Sequence, residues 1–315
     1  MKIRKPFVAV IGAGQVGATS AQRILEKGLA DVVLFDVLEG IPQGKALDLM
    51  ESASIEGHDR RIFGTNDYRD VGGAEIIVVT AGLPRKPGMT REDLLGLNAK
   101  IIKDVCGNIK QVAPNSKVII VTNPLDIMTH LAQRVLGFPK KRVFGMAGVL
   151  DTARMRFFIA EHLEEVPKNI EAVVLGGHGD LMVPVSSQTR IRQEALGSRI
   201  SGDDLATIEQ RTRDGGAEIV ALLKTGSAFY APASSVCEMV KMILRDEKKV
   251  LPVCAHTDGP YGIHDLYFGV PARLGRDGVE QVVEIPLDAS EKKQMILSAA
   301  KVKQGILEVE NLVKI

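Results

Sequence analysis

A chain of 315 residues can bury large cores, and this length more naturally makes two domains than one. Hydrophobic residues at 45% and charged residues at 25% match a globular protein, and a formal net charge of +1 gives no electrostatic case for a nucleic-acid or anionic membrane partner. Three scattered cysteines, Cys106, Cys237 and Cys254, have neither CxxC nor metal-ligand spacing, so reduced thiols in a cytoplasmic protein without a metal site are expected.

The chain enters an apolar stretch within its first few residues, leaving no room for a signal peptide. No apolar run approaches the roughly 18 residues that cross a bilayer. Phe7-Val-Ala-Val-Ile11 is too short for a helix and rich in Val and Ile, which reads as a buried strand. It runs into Gly12, Ala13, Gly14, Gln15, Val16 and Gly17, a G-x-G-x-x-G turn that lets a pyrophosphate approach bare backbone. Ala18 to Lys27 reads as the helix behind that turn, stopped by Gly28, with its free N–H groups facing the phosphates. A second strand, Val32 to Phe35, ends in Asp36, nineteen residues after Gly17, where a carboxylate meets the adenosine ribose hydroxyls. The same carboxylate would repel a 2′-phosphate, so the expected cofactor is NAD rather than NADP.

Gly40 to Gly44 reads as a turn, Lys45 to Ser52 as a short helix, Arg61 to Thr65 as a third strand and Glu75 to Thr80 as a fourth. A Pro/Gly loop, Leu83 to Thr90, carries a cluster of cations, and Arg91 to Val112 is helical, with Leu94, Ile101, Val105, Ile109 and Val112 on one stripe and Thr90 as N-cap. Lys117 to Val121 is a fifth strand stopped by Thr122-Asn123-Pro124, Asp126 to Leu136 a helix, and Arg142 to Gly145 a sixth strand. Strands alternating with helices predict an α/β fold, a Rossmann-type doubly wound parallel sheet over residues 1–149. Beyond it the pattern changes to an α+β domain over 150–315. Helices are expected at 151–163, 203–223 and 231–244, a strand at 172–175, and antiparallel strands at 250–254, 267–274 and 279–285. A capping box at Asp288 and Glu291 opens a final helix with Met295, Ala299, Val302, Ile306 and Val309 on one face.

Four charged residues stand out by their neighbours. Arg85 and Arg91 lie on or beside the loop after the fourth strand, Arg154 sits one helical turn after Asp151, and His178 is flanked by glycines that leave its ring unshielded. Taken singly, a solvated arginine, an N-capping aspartate or a packed loop histidine explains each as well. Together, beside a dinucleotide turn, they point to a catalytic site.

The motifs Gly12-Ala-Gly-Gln-Val-Gly17, Ala81-Gly-Leu-Pro-Arg-Lys-Pro-Gly-Met-Thr-Arg91, Thr122-Asn-Pro-Leu125, Gly148-Val-Leu-Asp-Thr-Ala-Arg154 and Gly176-Gly-His-Gly-Asp180 occur in that order, followed by Lys224-Thr-Gly-Ser-Ala228. In this the chain resembles the lactate/malate dehydrogenase family, most closely its prokaryotic, lactate-dehydrogenase-like malate dehydrogenase branch. The resemblance implies hydride exchange between NAD and malate/oxaloacetate, with His178 moving the proton and Asp151 as its partner. It implies that Arg154 grips the substrate C1 carboxylate, that Arg91 polarises the reacting carbonyl, and that Asn123 touches both substrate and cofactor. Asn98, Val121 and Thr122 match cofactor-contacting positions, and Ser227 matches one near the substrate. Lactate dehydrogenases usually carry a neutral glutamine where this chain has Arg85. An uncompensated cation closed over a methyl group would cost roughly 2–5 kcal/mol, so Arg85 favours malate. Pro84, Pro87 and Gly88 would let the loop close as a unit. A homodimer or homotetramer is the implied assembly.

Other classes fit less well. A short-chain reductase needs Tyr-x-x-x-Lys, and none of the four tyrosines has a lysine four residues on. An NAD-dependent glycosidase needs a metal site, and no cysteine lies near His178 in sequence. A non-catalytic NAD-binding protein would not need the Asp151/His178 pair or the arginines. A lactate dehydrogenase is the nearest alternative.

Overall fold

Phe7–Ile11 (β1) is buried at all five positions, as expected of a strand covered on both faces. In the computed structural model, which describes residues 3–83 and 91–313, it is followed by α1 (Gln15–Glu26), β2 (Asp31–Phe35), α2 (Ile41–Glu56), β3 (Ile62–Thr65) and β4 (Ile76–Val79). Then come α3 (Arg91–Val112), β5 (Lys117–Ile120), α4 (Leu125–Leu136) and β6 (Val143–Gly145). These six strands are parallel in the order β3-β2-β1-β4-β5-β6, so the chain reverses its direction of travel across the sheet between β1 and β4. That reversal opens a crevice at the carboxyl ends of the strands, where doubly wound sheets take their ligands.

The second half contributes α5 (Gly148–Leu163), β7 (Ile170–Glu171), β8 (Val174–Gly176), β9 (Met182–Pro184), β10 (Arg190–Ile191) and β11 (Glu194–Ala195). After these come α6 (Gly202–Leu223), α7 (Tyr230–Leu244), β12 (Lys249–Thr257), β13 (Leu266–Gly275), β14 (Gly278–Val282) and α8 (Ala289–Val313). The last three strands are antiparallel to one another, and they do not form a separate sheet. β12 pairs with β6 at Cys254 and Gly145, so a single nine-stranded sheet runs through both halves among the described residues. This pairing occupies the β6 edge, which would otherwise expose a row of unpaired backbone groups.

Three helices begin three or more residues earlier than their residues imply. α1 starts at Gln15 rather than Ala18, with Gly14 as N-cap, and α5 starts at Gly148 rather than Asp151. α2 absorbs the expected turn at 40–44: Gly40 caps it in a left-handed conformation and Pro42 sits in its first turn, where a missing N–H costs nothing. The strand expected at 172–175 is displaced to β8 and forms a hairpin with β9. The capping box of α8 is formed as expected: Asp288 N–H donates to Glu291 Oε2 and Glu291 N–H donates to Asp288 Oδ1, both at 2.8 Å. All five residues of the expected apolar face are buried.

Glu291 is itself buried and also accepts from the Ser187 backbone at 3.0 Å and the Ser187 hydroxyl at 2.7 Å. Glu291→Ala therefore strands several donors at once and is expected to destabilise the fold by about 2–3 kcal/mol, measured by urea unfolding. A change below about 0.5 kcal/mol would show that these bonds form equally well with water.

Candidate active site

The turn between β1 and α1 is set by contacts that exclude side chains. Gly12 has a φ of 105°, which L side chains avoid. A Cβ on Gly17 would stand 1.9 Å from the Gly12 carbonyl oxygen, so only glycine brings α1 this close to β1. The exposed N-terminus of α1 thus faces the crevice, and no side chain caps it. Asp36, just past β2, folds back toward the turn: Oδ2 accepts the Ala13 N–H at 2.7 Å and Oδ1 accepts the Leu38 N–H at 3.0 Å. Lys45, which the sequence reading did not single out, donates to the Ala13 carbonyl at 2.7 Å and places a cation at the same turn. Its signal was present, a lysine directly after Gly44 at the start of the segment read as a short helix. Gln15 and Val16 form the first turn of α1.

The opposite wall comes from β4 and β5. Thr122 is buried and donates to the Ala81 carbonyl at 2.6 Å, and the Val121 N–H donates to the Val79 carbonyl at 2.9 Å. Asn98 in α3 is 1% exposed and uses its amide on backbone: it accepts from Leu83 N–H at 2.8 Å and donates to the Asn123 carbonyl at 2.8 Å. It therefore ties α3 to both strand ends. Asn123 is exposed at the end of β5. Arg85 and Thr90, with the loop glycine and prolines, lie outside the described residues. Arg91 is the first residue of α3.

The second cluster is built by α5 and the β8–β9 loop. Asp151 lies in the first turn of α5 and is 2% exposed. His178 follows β8, and its Nδ1 stands 2.8 Å from Asp151 Oδ2. Arg154 Nη1 donates to the other oxygen of the same carboxylate at 3.3 Å, one helical turn on. The β8 end is brought in by Gly269 of β13, where a Cβ would stand 2.1 Å from the Gly176 carbonyl oxygen. His178 also donates its backbone N–H to Asp126 Oδ2 at 2.8 Å. Asp126, at the start of α4, is a buried acid within an otherwise apolar helical turn, which is the one signal that could have drawn notice. Ser227 is exposed in the connection between α6 and α7.

The electrostatics favour an imidazolium that can also give up its proton. Burial opposes the charge on His178, but attraction and hydrogen bonding to Asp151 outweigh it, and Asp126 adds to them, so its pKa is raised above 6.5. Burial lowers the Arg154 pKa while Asp151 supports its charge. A guanidinium remains ionised under either influence.

The family description "lactate/malate dehydrogenase, NAD binding domain" matches residues 7–145, and "lactate/malate dehydrogenase, alpha/beta C-terminal domain" matches 148–313. The chain belongs to the lactate/malate dehydrogenase family. A relative named malate dehydrogenase from Chlorobium luteolum is 52% identical over 306 residues, covering 97% of this chain and 99% of its own. The solved malate dehydrogenase of Salinibacter ruber superposes with a TM-score of 0.93 at 44% identity, covering 98% of this chain and 99% of that one. The lactate dehydrogenase of Cryptosporidium parvum, solved with lactic acid and β-nicotinamide adenine dinucleotide, superposes at 0.95 with 40% identity, over 98% and 99% of the two chains. The N-terminal half is therefore an NAD-binding domain of this family, and the sheet order places its glycine turn at the topological switch. Among the described residues no group of three or more His, Cys, Asp and Glu side chains is placed to hold a metal ion, and no helix is long and apolar enough to cross a membrane.

Gly17→Ala is expected to displace α1 from β1 and weaken NADH binding by at least about 10-fold, measured by nucleotide fluorescence titration. Unchanged affinity would show that the close approach of α1 to β1 does not matter for the cofactor.

Proposed function

We propose that this chain is an NAD-dependent malate dehydrogenase that reversibly oxidises (S)-malate to oxaloacetate. The observation that carries the reading is the shared carboxylate: Asp151 holds His178 at 2.8 Å and Arg154 at 3.3 Å, so a proton-transfer group and a carboxylate clamp are fixed side by side. Malate rather than lactate is favoured by Arg85, a second cation suited to the C4 carboxylate, and by the malate dehydrogenase relatives.

The uncapped N-terminus of α1 suits a pyrophosphate, and Asp36 beside the turn suits the adenosine ribose hydroxyls. NAD bound there would supply the acceptor for the hydride that leaves C2 of malate. In oxidation, neutral His178 takes the malate hydroxyl proton at Nε2, the ring nitrogen not directed at Asp151, while Asp151 stabilises the imidazolium that results. In reduction, the imidazolium returns that proton to the oxygen of oxaloacetate. Arg154 binds the C1 carboxylate through two parallel N–H donors, a geometry that ammonium does not offer. Arg91 polarises the reacting carbonyl, and Asn123 contacts substrate and cofactor from the end of β5. Asn98 serves the cofactor wall indirectly, since its amide is committed to the backbone of residues 83 and 123. This reading assigns cofactor binding to residues 1–149 and substrate binding to 150–315. It also includes a cytoplasmic homodimer or homotetramer; the exposed apolar residues Leu47 and Ile55 on α2, 62% and 86% exposed, support self-association.

The test is NADH oxidation with oxaloacetate, pyruvate and 2-oxoglutarate side by side. Oxaloacetate is expected to give the highest kcat/KM; a higher value with pyruvate would overturn the assignment. Arg85→Gln is expected to cut kcat/KM for oxaloacetate by about 30-fold or more and to cost pyruvate less. Equal losses on both substrates would remove Arg85 from specificity.

A further inference from the structure

The loop that carries His178 joins β8 to β9, with glycines on both sides of the histidine and Gly179 at a φ of 88°. Such a segment has little conformational restraint of its own. Two buried side chains from distant parts of the chain tie its backbone instead. Asp126, 5% exposed, accepts the His178 N–H at 2.8 Å. Ser298 of α8, 4% exposed, accepts the Gly177 N–H at 3.0 Å and donates to the Leu181 carbonyl at 2.6 Å. The two ends of the loop therefore hang on one hydroxyl and its centre on one carboxylate.

An uncharged acceptor would serve the histidine backbone as well, so the choice of a buried acid needs a reason. Asp126 Oδ1 has no hydrogen-bond partner among the described residues. Burial pushes this carboxyl upward, while the His178 N–H, the His178 charge and the Cys254 thiol of β12 oppose that shift and Asp151 of α5 reinforces it. Burial and Asp126 in turn push the Cys254 thiol well up, which keeps it protonated beside the acid. His178 is faced by Asp151 and Arg154 from α5 and by Asp126 from α4, so two acids stand against one fixed and one exchangeable cation.

We propose that Asp126 and Ser298 are positioning residues for proton transfer: Ser298 fixes the His178 loop by geometry alone, whereas Asp126 fixes it and uses its charge to favour the imidazolium. The proposal rests on the reading of His178 as the proton-transfer residue.

The experiment uses full-length Asp126→Asn, Ser298→Ala and Ser298→Thr, each with kcat, KM and the pH profile of oxaloacetate reduction, beside thermal unfolding. Asparagine keeps an oxygen for the His178 N–H and removes the charge. It is expected to lower kcat/KM by roughly 10–100-fold, leave the KM for NADH unchanged and move the alkaline midpoint of the profile to lower pH. Ser298→Ala is expected to lower kcat by about 3–10-fold with the midpoint unmoved, and Ser298→Thr to restore it. A wild-type midpoint in Asp126→Asn overturns the charge role, and wild-type kcat in Ser298→Ala overturns the loop role. Should Asp126→Asn not fold, Cys254→Ala carries the test. It removes a group that favours the ionised Asp126 carboxylate, so the carboxyl rises, its charge weakens and the midpoint falls, and an unmoved midpoint again overturns the charge role. A wild-type enzyme inactive on every 2-oxo acid would defeat the underlying assignment, a result separate from any variant.

Discussion

The hydrogen bond between Asp151 and His178 is the constraint around which this molecule is arranged. Its partners are 27 residues apart in sequence and come from different kinds of structure, a helix and a hairpin loop. Neither would hold the other without a rigid frame. The frame is the nine-stranded sheet: β6 leads directly into α5 with Asp151, β12 pairs with β6, and β13 meets the end of β8 at Gly269, next to the His178 loop. Extending the parallel sheet with antiparallel strands is thus more than edge protection. It brings Asp151 and His178 to the same end of the sheet as the glycine turn.

The energetics of that bond follow from burial. At 2% exposure Asp151 has little water to screen it, so its interaction with two cationic groups is strong and its isolation would be costly. The carboxylate meets this by spending one oxygen on the imidazole and the other on the guanidinium. The same arrangement raises the His178 pKa against its own burial, so the ring holds its proton to higher pH. Positioning of the His178 ring and tuning of its protonation are therefore one feature of the structure rather than two.

Much of this was legible in the residues. The β1–turn–α1–β2 unit announces itself through short β-branched runs and glycine spacing, and the close approach at Gly17 shows why that spacing is required. The last helix was readable from its capping box and the 3.6-residue repeat of Met295, Ala299, Val302, Ile306 and Val309. Helix starts were less legible where glycine or alanine stands at the N-cap, as at Gly14 and Ala147, because neither residue carries the side-chain oxygen that marks a boundary. α2 was shortened for a related reason: Pro42 and Gly44 look like a turn until the helix is seen to lie against β3 with Pro42 and Ala46 buried. The joining of β12 to β6 leaves no local trace, since a strand's sequence does not name its neighbour. Ser298 was invisible in the same way, and Asp126 showed only as an acid in an apolar turn, because each binds backbone N–H groups and backbone carries no residue signature.

The central claim is that one histidine carries the proton in both directions. The most direct measurement is the pH dependence of kcat/KM for oxaloacetate reduction and for malate oxidation on the same preparation. Reduction requires the imidazolium, so its rate should fall as pH rises through the His178 pKa. Oxidation requires the neutral ring, so its rate should rise through the same midpoint, which lies above 6.5. Two limbs of opposite sign sharing one midpoint are the predicted result. Limbs of the same sign, or a midpoint unaffected by His178→Gln, would contradict it.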